Sequence, residues 1–386
     1  MATPAQRTNT WTLDEWYDQA VAGTQGTYVG ARELFAWGGG ANGALGLNSN
    51  SQVSSPTQIP GSWRSLGSQN SIGYNQGVVN TDGELFAWGK NDNGQLGQNE
   101  YNIAYSSPVQ IPGTWSDNFK MGYLNSAMVK ADGTLWVSGF GNDGNLGQND
   151  RTYRSSPVQV PGTWSTTQGT LTTNYYGTGA IKADGTMWGW GANHNGQLGI
   201  NNRTFYSSPM QIPGTNWSRL YGDFYTKFGI KTDGTMWGWG INVYGCLGLN
   251  DQGPGTRRSS PTQIPGTWSA VQSNEAKMTA AINTSGELFV WGSGTYGKLG
   301  LNSNSSRSSP TQIPGTTWSK VSASADNVTA IKTDGTMWGW GKSTGGQLAN
   351  NWPGNGYNRS SPIQIPGTTW EDVTASYGAK HAIQLN

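Results

Sequence analysis

Ile181-Lys-Ala-Asp-Gly-Thr-Met-Trp-Gly-Trp-Gly191 is followed in turn by Gly196-Gln-Leu-Gly199, Ser207-Ser-Pro209, Gln211-Ile-Pro-Gly214 and Trp217. The same succession recurs along the chain. The proline of Ser-Ser-Pro stands at Pro56, Pro108, Pro157, Pro209, Pro261, Pro310 and Pro362, at intervals of 52 or 49 residues. A period this regular identifies an array of one supersecondary unit. A motif confined to one copy is therefore first a variant of the repeat.

Each copy offers four short strand candidates, represented by Trp318-Ser-Lys-Val-Ser, Val328-Thr-Ala-Ile-Lys332, Thr336-Met-Trp-Gly-Trp340 and Pro362-Ile-Gln-Ile-Pro366. Asp-Gly separates the second from the third at Asp82, Asp132, Asp184, Asp233 and Asp334, and Ser285-Gly286 does so in one copy. Asp-Gly between strands signals a tight hairpin whose turn needs positive φ. The prolines around Gln-Ile suit an edge strand, which places the fourth segment outermost. Four antiparallel strands repeated seven times predict an all-β fold, a seven-bladed β-propeller of four-stranded blades. The first copy starts at Glu33-Leu-Phe-Ala-Trp-Gly38 with no hairpin before it, and the last stops at His381-Ala-Ile-Gln-Leu385. The two fragments complete one unit, so a composite N/C-terminal blade is expected to close the ring and remove its open edges. Gly-Trp-Gly-Trp-Gly is expected to run nearest the axis, its glycines permitting close approach. The equivalent tryptophan positions are Trp37, Trp88, Ser138, Trp190, Trp239, Trp291 and Trp340. Ser138 and Phe140 predict locally different packing in their copy.

The domain division read from this pattern is a leader at 1–27 and a propeller at 28–386. The 386 residues carry a net charge of +1 and only 12% charged residues, with 58 Gly and 20 Trp. Few charges and many aromatics exclude a disordered chain. No basic footprint for nucleic acid is present, no apolar run is long enough to insert in a membrane, and the N-terminus has no signal-peptide core. Cys246 is the single cysteine, so no internal disulfide is expected; it replaces a repeat glutamine and reads as a buried or half-buried substitution.

Trp190-Gly-Ala-Asn-His-Asn-Gly-Gln-Leu-Gly199 and the downstream Ser-Ser-Pro-x-Gln-Ile-Pro resemble the regulator-of-chromosome-condensation repeat family. The resemblance covers about nine-tenths of the chain. It implies the seven-bladed ring closed by a composite blade. It implies no single function, since members include a nucleotide exchange factor for a GTPase, a UV-B photoreceptor, enzyme inhibitors and virion proteins. The photoreceptors' Gly-Trp-Arg-His-Thr motif is absent here. The close likeness of the copies, together with the leader, resembles bacteriophage-encoded members.

The leader contains a helix signal at about 11–22. Thr12-Leu-Asp-Glu15 forms a capping box, with Trp11 and Trp16 at staple positions. Trp11, Leu13, Trp16 and Tyr17 are the candidate docking residues, packing either on a partner or on their own propeller. A second candidate is a rim formed by the residue before Ser-Ser-Pro: Tyr105, Arg154, Tyr206, Arg258, Arg307 and Arg359, with Val53 in the remaining copy. Arg and Tyr are favoured at interface hot spots; solvated loop tips whose arginine stems stack on neighbours are the plainer reading. A third candidate is the divergent loop carrying Trp352 and Tyr357.

Three Gly-x-Gly-x-x-Gly matches, at Gly38, Gly139 and Gly292, fall at one phase of the repeat and lack the helix a dinucleotide site needs. His194 and His381 lie at different phases, which leaves no zinc set. The aspartates of Asp-Gly read as turn formers. No catalytic constellation, cofactor site or metal site is expected, and the chain reads as non-enzymatic. The leading functional expectation is a structural or attachment protein of a phage virion, docked to other virion proteins through the leader and presenting rims to a host-surface protein or glycan. The alternative is a soluble, cytoplasmic, protein-binding propeller, either exchange-factor-like or an enzyme inhibitor.

Overall fold

The computed structural model describes residues 32–67, 74–274, 277–324, 326–343, 346–349, 358–375 and 379–385. The leader, with Trp11, Leu13, Trp16 and Tyr17, lies outside the described residues, as do Trp352 and Tyr357. Within them the strands form seven antiparallel blades in a closed ring. Numbered along the chain, blade 1 spans 63–111, blade 2 115–160, blade 3 171–212, blade 4 217–264, blade 5 268–312 and blade 6 318–365. Blade 7 is the composite one. Its strands are Trp370–Ala375, Ala379–Leu385, Arg32–Gly38 and Val53–Ile59. Arg32 to Gly38 pair in register with Leu385 back to Ala379, so the first and last described strands hold each other by a full antiparallel ladder. Blades 4 and 5 share one long strand, Arg258–Asn274, which pairs with one blade through Ile264 and with the next through Val271.

The first strands of neighbouring blades pack together around the axis, and a channel runs between them. The order of strands within each blade then puts the third strand away from the axis, between the second and the outermost fourth. This corrects the expectation for Gly-Trp-Gly-Trp-Gly. Its last glycine is needed for another reason: Gly191 has φ +107°, and a Cβ there would lie 2.5 Å from the Tyr176 carbonyl. The middle position is not glycine everywhere, being Ala87 in blade 1 and Val137 in blade 2.

The equivalent third-strand tryptophans are Trp37, Trp88, Trp190, Trp239, Trp291 and Trp340. All six are fully buried. Each indole N–H donates to a backbone carbonyl in the preceding blade's loop between its third and fourth strands. The bonds are Trp88 to Ala44 at 3.2 Å, Trp190 to Asn145 at 2.8 Å, Trp239 to Gln197 at 3.1 Å, Trp291 to Cys246 at 2.7 Å, Trp340 to Lys298 at 3.0 Å and Trp37 to Gln347 at 3.3 Å. In blade 2 the Ser138 hydroxyl makes the same bond to Gln95 at 3.3 Å. The volume of the missing ring is met from the first strand, where Phe119 and Met121 join the cluster around Leu96. The glycine of Leu-Gly lies flat against the same ring: a Cβ on Gly199 would stand 2.7 Å from Trp239 Nε1, at φ +73°.

The same loop also grips the fourth strand of the next blade. Asn99 N–H donates to the Ser155 carbonyl at 2.8 Å, and Asn201 N–H to Ser259 at 2.8 Å. The following serine hydroxyl returns a bond to the asparagine side chain, as in Ser156 to Asn99 at 2.9 Å and Ser260 to Asn201 at 3.1 Å. Gly-Gln-Leu-Gly-x-Asn and Ser-Ser-Pro are thus two halves of one clasp between blades. The asparagines adopt positive φ, 60° at Asn99 and 59° at Asn201, a conformation Asn tolerates better than most residues.

Within blades 1 to 6, one position is filled in two ways. In blade 2, Lys130 lies over the rings of Trp115 and Trp136 at 5.6 and 4.2 Å, and Lys182, Lys231 and Lys332 repeat this in blades 3, 4 and 6. Here the indole N–H of Trp136 donates to Thr134, whose hydroxyl donates to Asp132. The hydroxyl and amide bonds from Thr134 hold the Asp132 carboxyl below the usual carboxylate range. In blades 1 and 5, Asn80 and Asn283 replace the lysine and bond Glu84 and Glu287. Phe86 and Phe289 then meet Trp63 and Trp268 edge-on.

Trp239→Ala is expected to cost about 3–5 kcal/mol, the usual range for deleting a buried tryptophan. Ser138→Ala, which leaves its partner carbonyl buried and unmet, is expected to cost about 1–3 kcal/mol. Urea unfolding of both variants checks the order; equal costs would show that ring volume contributes little to holding blades together.

Candidate binding face

Antiparallel connectivity gives the ring two unlike faces. One carries the Asp-Gly turns and the Ile-Pro-Gly connections. The other carries the loops between first and second strands, near the axis, and the long loops between third and fourth strands, farther out. All sequence-derived rim residues lie at the edge of this loop face, each paired in register with the glycine that ends a third strand: Tyr105 with Gly89, Arg154 with Gly139, Tyr206 with Gly191, Arg258 with Gly240, Arg307 with Gly292 and Arg359 with Gly341. They stand one per blade and are spread around the circumference. Most are tied to their own loops. Arg154 pairs with Asp150 at 2.7 Å, Arg258 with Asp251 at 2.5 Å, and the Tyr105 hydroxyl donates to Glu100 at 2.6 Å.

Nearer the axis the loop face carries a feature that the sequence reading missed. Tyr123 of blade 2, Tyr175 and Tyr176 of blade 3, and Phe224 and Tyr225 of blade 4 form one half-exposed cluster. Phe224 is its centre, with ring centroids 6.0 Å from Tyr123, 6.1 Å from Tyr175, 6.3 Å from Tyr176 and 6.2 Å from Tyr225. Phe140 and Tyr153 extend it outward, and Lys90 lies 5.8 Å over Tyr123. Edge-to-face aromatic contacts of this kind add stability beyond area burial. At the corresponding point of blades 5 and 6, where the loop carbonyl accepts from the residue after the third strand, stand Lys277 and Asp326. The face is aromatic on one side of the ring and charged on the other. The signal was present in Asn174-Tyr-Tyr-Gly and Asp223-Phe-Tyr-Thr; reading only the motifs common to all copies passed over it.

The loops are fixed by side-chain-to-backbone bonds. Asn174 Oδ1 accepts the N–H groups of Tyr176 and Gly177 at 3.0 and 3.2 Å. Asp223 Oδ1 accepts those of Tyr225 and Thr226, both at 2.9 Å. Such Asx turns hold a short loop without regular structure. Asn174 Nδ2 then bonds the Asp223 carbonyl at 2.5 Å, stitching the two loops together. Lys227 donates to the same carbonyl at 2.6 Å. Burial pushes the amine of Lys227 down to about 8 and that of Lys120 down to about 7. In blade 7, burial lowers Lys380 to about 7 and His381 to about 4. His381 packs edge-on to Trp88, at the seam between the closing blade and blade 1.

Cys246 is fully buried; its thiol is pushed up to about 12 by burial, and its carbonyl serves the blade clasp. The Gly-x-Gly-x-x-Gly matches lie in loops between third and fourth strands, two of them forming single 3₁₀ turns at Ala41–Gly43 and Thr295–Gly297. Among the described residues no group of three or more His, Cys, Asp or Glu is placed to hold a metal, and no helix is long and apolar enough to cross a membrane.

A closed ring of four-stranded blades, clasped through third-strand tryptophans, defines a seven-bladed β-propeller. A model of the regulator of chromosome condensation (RCC1) repeat matches residues 33–69, 82–121, 184–219, 233–274 and 285–331, a little over half of the chain. The chain belongs to the RCC1 repeat family. Among solved structures, Prp20p from Saccharomyces cerevisiae matches with a TM-score of 0.79 at 17% identity, covering 93% of this chain and 92% of that one. Human WBSCR16 matches with a TM-score of 0.75 at 17% identity, covering 92% and 99%. At this identity the likeness concerns the fold. These relatives are a yeast and a human protein, and they give no support to a phage origin or a virion role.

The buried bases make stability pH-dependent in a defined sense. Where the unfolded chain binds more protons than the folded one, stability rises with pH. Lys120, Lys227 and Lys380 meet that condition from about pH 7 up to their ordinary range, and His381 meets it between about pH 4 and its ordinary value. The urea midpoint is expected to rise from pH 4 to 6.5 and again from pH 7 to 9, with Lys380→Met flattening the second rise. A midpoint that falls between pH 7 and 9 would contradict the assignment.

Proposed function

We propose that this chain is a non-enzymatic, protein-binding propeller that engages a partner through its loop face. The observation that carries the reading is the aromatic cluster of blades 2 to 4. It is half-exposed, confined to one side of the ring and built from tyrosine and phenylalanine, residue types enriched at interfaces. The rim residues Arg154, Tyr206 and Arg258 belong to the same three blades and would extend the contact outward, Arg154 and Arg258 already held by ion pairs with Asp150 and Asp251. Pre-ordered side chains cost less to immobilise on binding.

The family relatives support a binding role. Yeast RCC1 (Prp20), which matches with a TM-score of 0.79 at 16% identity over 93% of this chain and 90% of that one, is seen bound to Kap60. Prp20p is described by its binding to Gsp1p and histones. Protein recognition in a soluble, cytoplasmic setting fits this chain better than virion docking.

The reading is tested by crosslinking capture from cell lysate with the intact chain and two variants. The double variant Tyr176→Ala, Phe224→Ala is expected to lose the captured partner, and Asp184→Asn on the opposite face to retain it. Removing one or two hot-spot aromatics usually costs about 2 kcal/mol or more each. Retention by the double variant, with loss in Asp184→Asn, would move the site to the turn face.

A further inference from the structure

One residue per blade stands at the turn-face mouth of the central channel: Arg64, Asp117, Gln168, Arg219, Ala270, Lys320 and Asp372 in blades 1 to 7, each on a first strand except Gln168, which precedes its own. Charges at this ring are matched between neighbours. Arg64 pairs with Asp117 at 2.8 Å and Lys320 with Asp372 at 3.8 Å, while Glu371 is taken by Arg32 at 2.8 Å. Arg219 is the exception. Its neighbours at the ring are neutral, Gln168 and Ala270, and among the described residues no carboxylate pairs with it. Its guanidinium reaches only neutral partners, the Ser218 carbonyl at 3.3 Å and the Tyr221 side chain.

The small side chain of Ala270 leaves a gap beside this arginine. A cavity of about 230 Å³ opens there, with Arg219 on one side, Lys320 on the other, and Tyr221 and Gln272 in the wall. No acidic residue lines it. Gln168 borders it and crosses the channel to donate to the Gly67 carbonyl, beside the half of the channel that holds Asp117, Glu371 and Asp372. Gln168 reaches that far because blade 3 carries extra residues, Ser165-Thr-Thr-Gln-Gly169, between Trp164 and its first strand.

We propose that this gap binds a small oxyanion of the phosphate class, held between the guanidinium of Arg219 and the ammonium of Lys320. A guanidinium presents paired N–H donors that match two oxygens of such an anion. A recess with low-dielectric walls strengthens that attraction relative to open water. The Tyr221 hydroxyl and the Gln272 amide supply neutral donors, and the cavity is too small for a nucleotide but ample for inorganic phosphate. The site is separate from the aromatic cluster on the opposite face, so it stands or falls independently of the partner-binding proposal.

The test is isothermal titration of the full chain with inorganic phosphate at constant ionic strength set by chloride. Saturable binding with one site is expected. Arg219→Gln is expected to weaken it more than about tenfold, as removal of a charged hydrogen-bonding partner does. Lys320→Gln weakens it by a smaller factor. Ala270→Glu, which places a carboxylate in the gap, is expected to abolish it while leaving circular dichroism and elution volume unchanged. Arg64→Gln, at a matched position of the same ring, is expected to have no effect. Equal affinity in the native chain and Arg219→Gln, loss in Arg64→Gln as large as in Arg219→Gln, or no saturation by millimolar phosphate would each overturn the proposal.

Discussion

The bond from a third-strand indole to a loop carbonyl of the preceding blade is the interaction on which this ring depends. A blade alone has two apolar faces and cannot bury either. The tryptophan fills the wedge between two blades, and its one polar atom must find a partner when buried. It finds that partner in the backbone of the neighbouring loop, so burial of the ring and docking of the loop become one event. The Leu-Gly glycine, the positive-φ asparagine and the Ser-Ser serines all serve that docking. Blade 2 supports the point by exception. Ser138 gives up the ring yet keeps the bond to Gln95, and Phe119 and Met121 supply the lost volume from another strand.

This makes the repeat's motifs legible in a way that their order along the chain conceals. Gly-Gln-Leu-Gly and Ser-Ser-Pro look like successive features of one unit. In space each meets its counterpart from the neighbouring unit, with the bonded side chains 57 to 59 residues apart along the chain. The coupled exchange of Lys, Thr and Trp for Asn, Glu and Phe has the same character. Three positions change together because two fillings of one site are possible: an alkylammonium between two indoles, or a phenyl edge on one indole with the amide turned to a carboxylate. Neither filling is visible from one copy.

Function is concentrated where copies differ. A strictly repeated ring would present the same surface in every direction and select nothing. Here the loops near the axis carry aromatics in blades 2 to 4 and Lys277 and Asp326 in blades 5 and 6. At the other mouth, charges are matched except at Arg219. The rim of Arg and Tyr, found by comparing copies at one phase, sits where its phase predicted. Its residues are dispersed around the circumference and spend much of their hydrogen bonding on their own loops.

Sequence alone determined the strand count, the hairpin turns, the closing blade and the tryptophan positions, because these follow from local chemistry repeated at a fixed period. Asp-Gly turns need only their own residues, and two half-units at the chain ends can satisfy their edges only by pairing. The radial order of strands was misjudged, since glycine content reports that something lies close and not what it is. At Gly191 that neighbour is the Tyr176 carbonyl, not the axis. Tertiary structure alone decided which loop meets which blade, which tyrosines join around Phe224, and which charge at the channel mouth lacks a counterpart. Those are contacts between copies, and a period measured along the chain carries no record of what closure of the ring brings together.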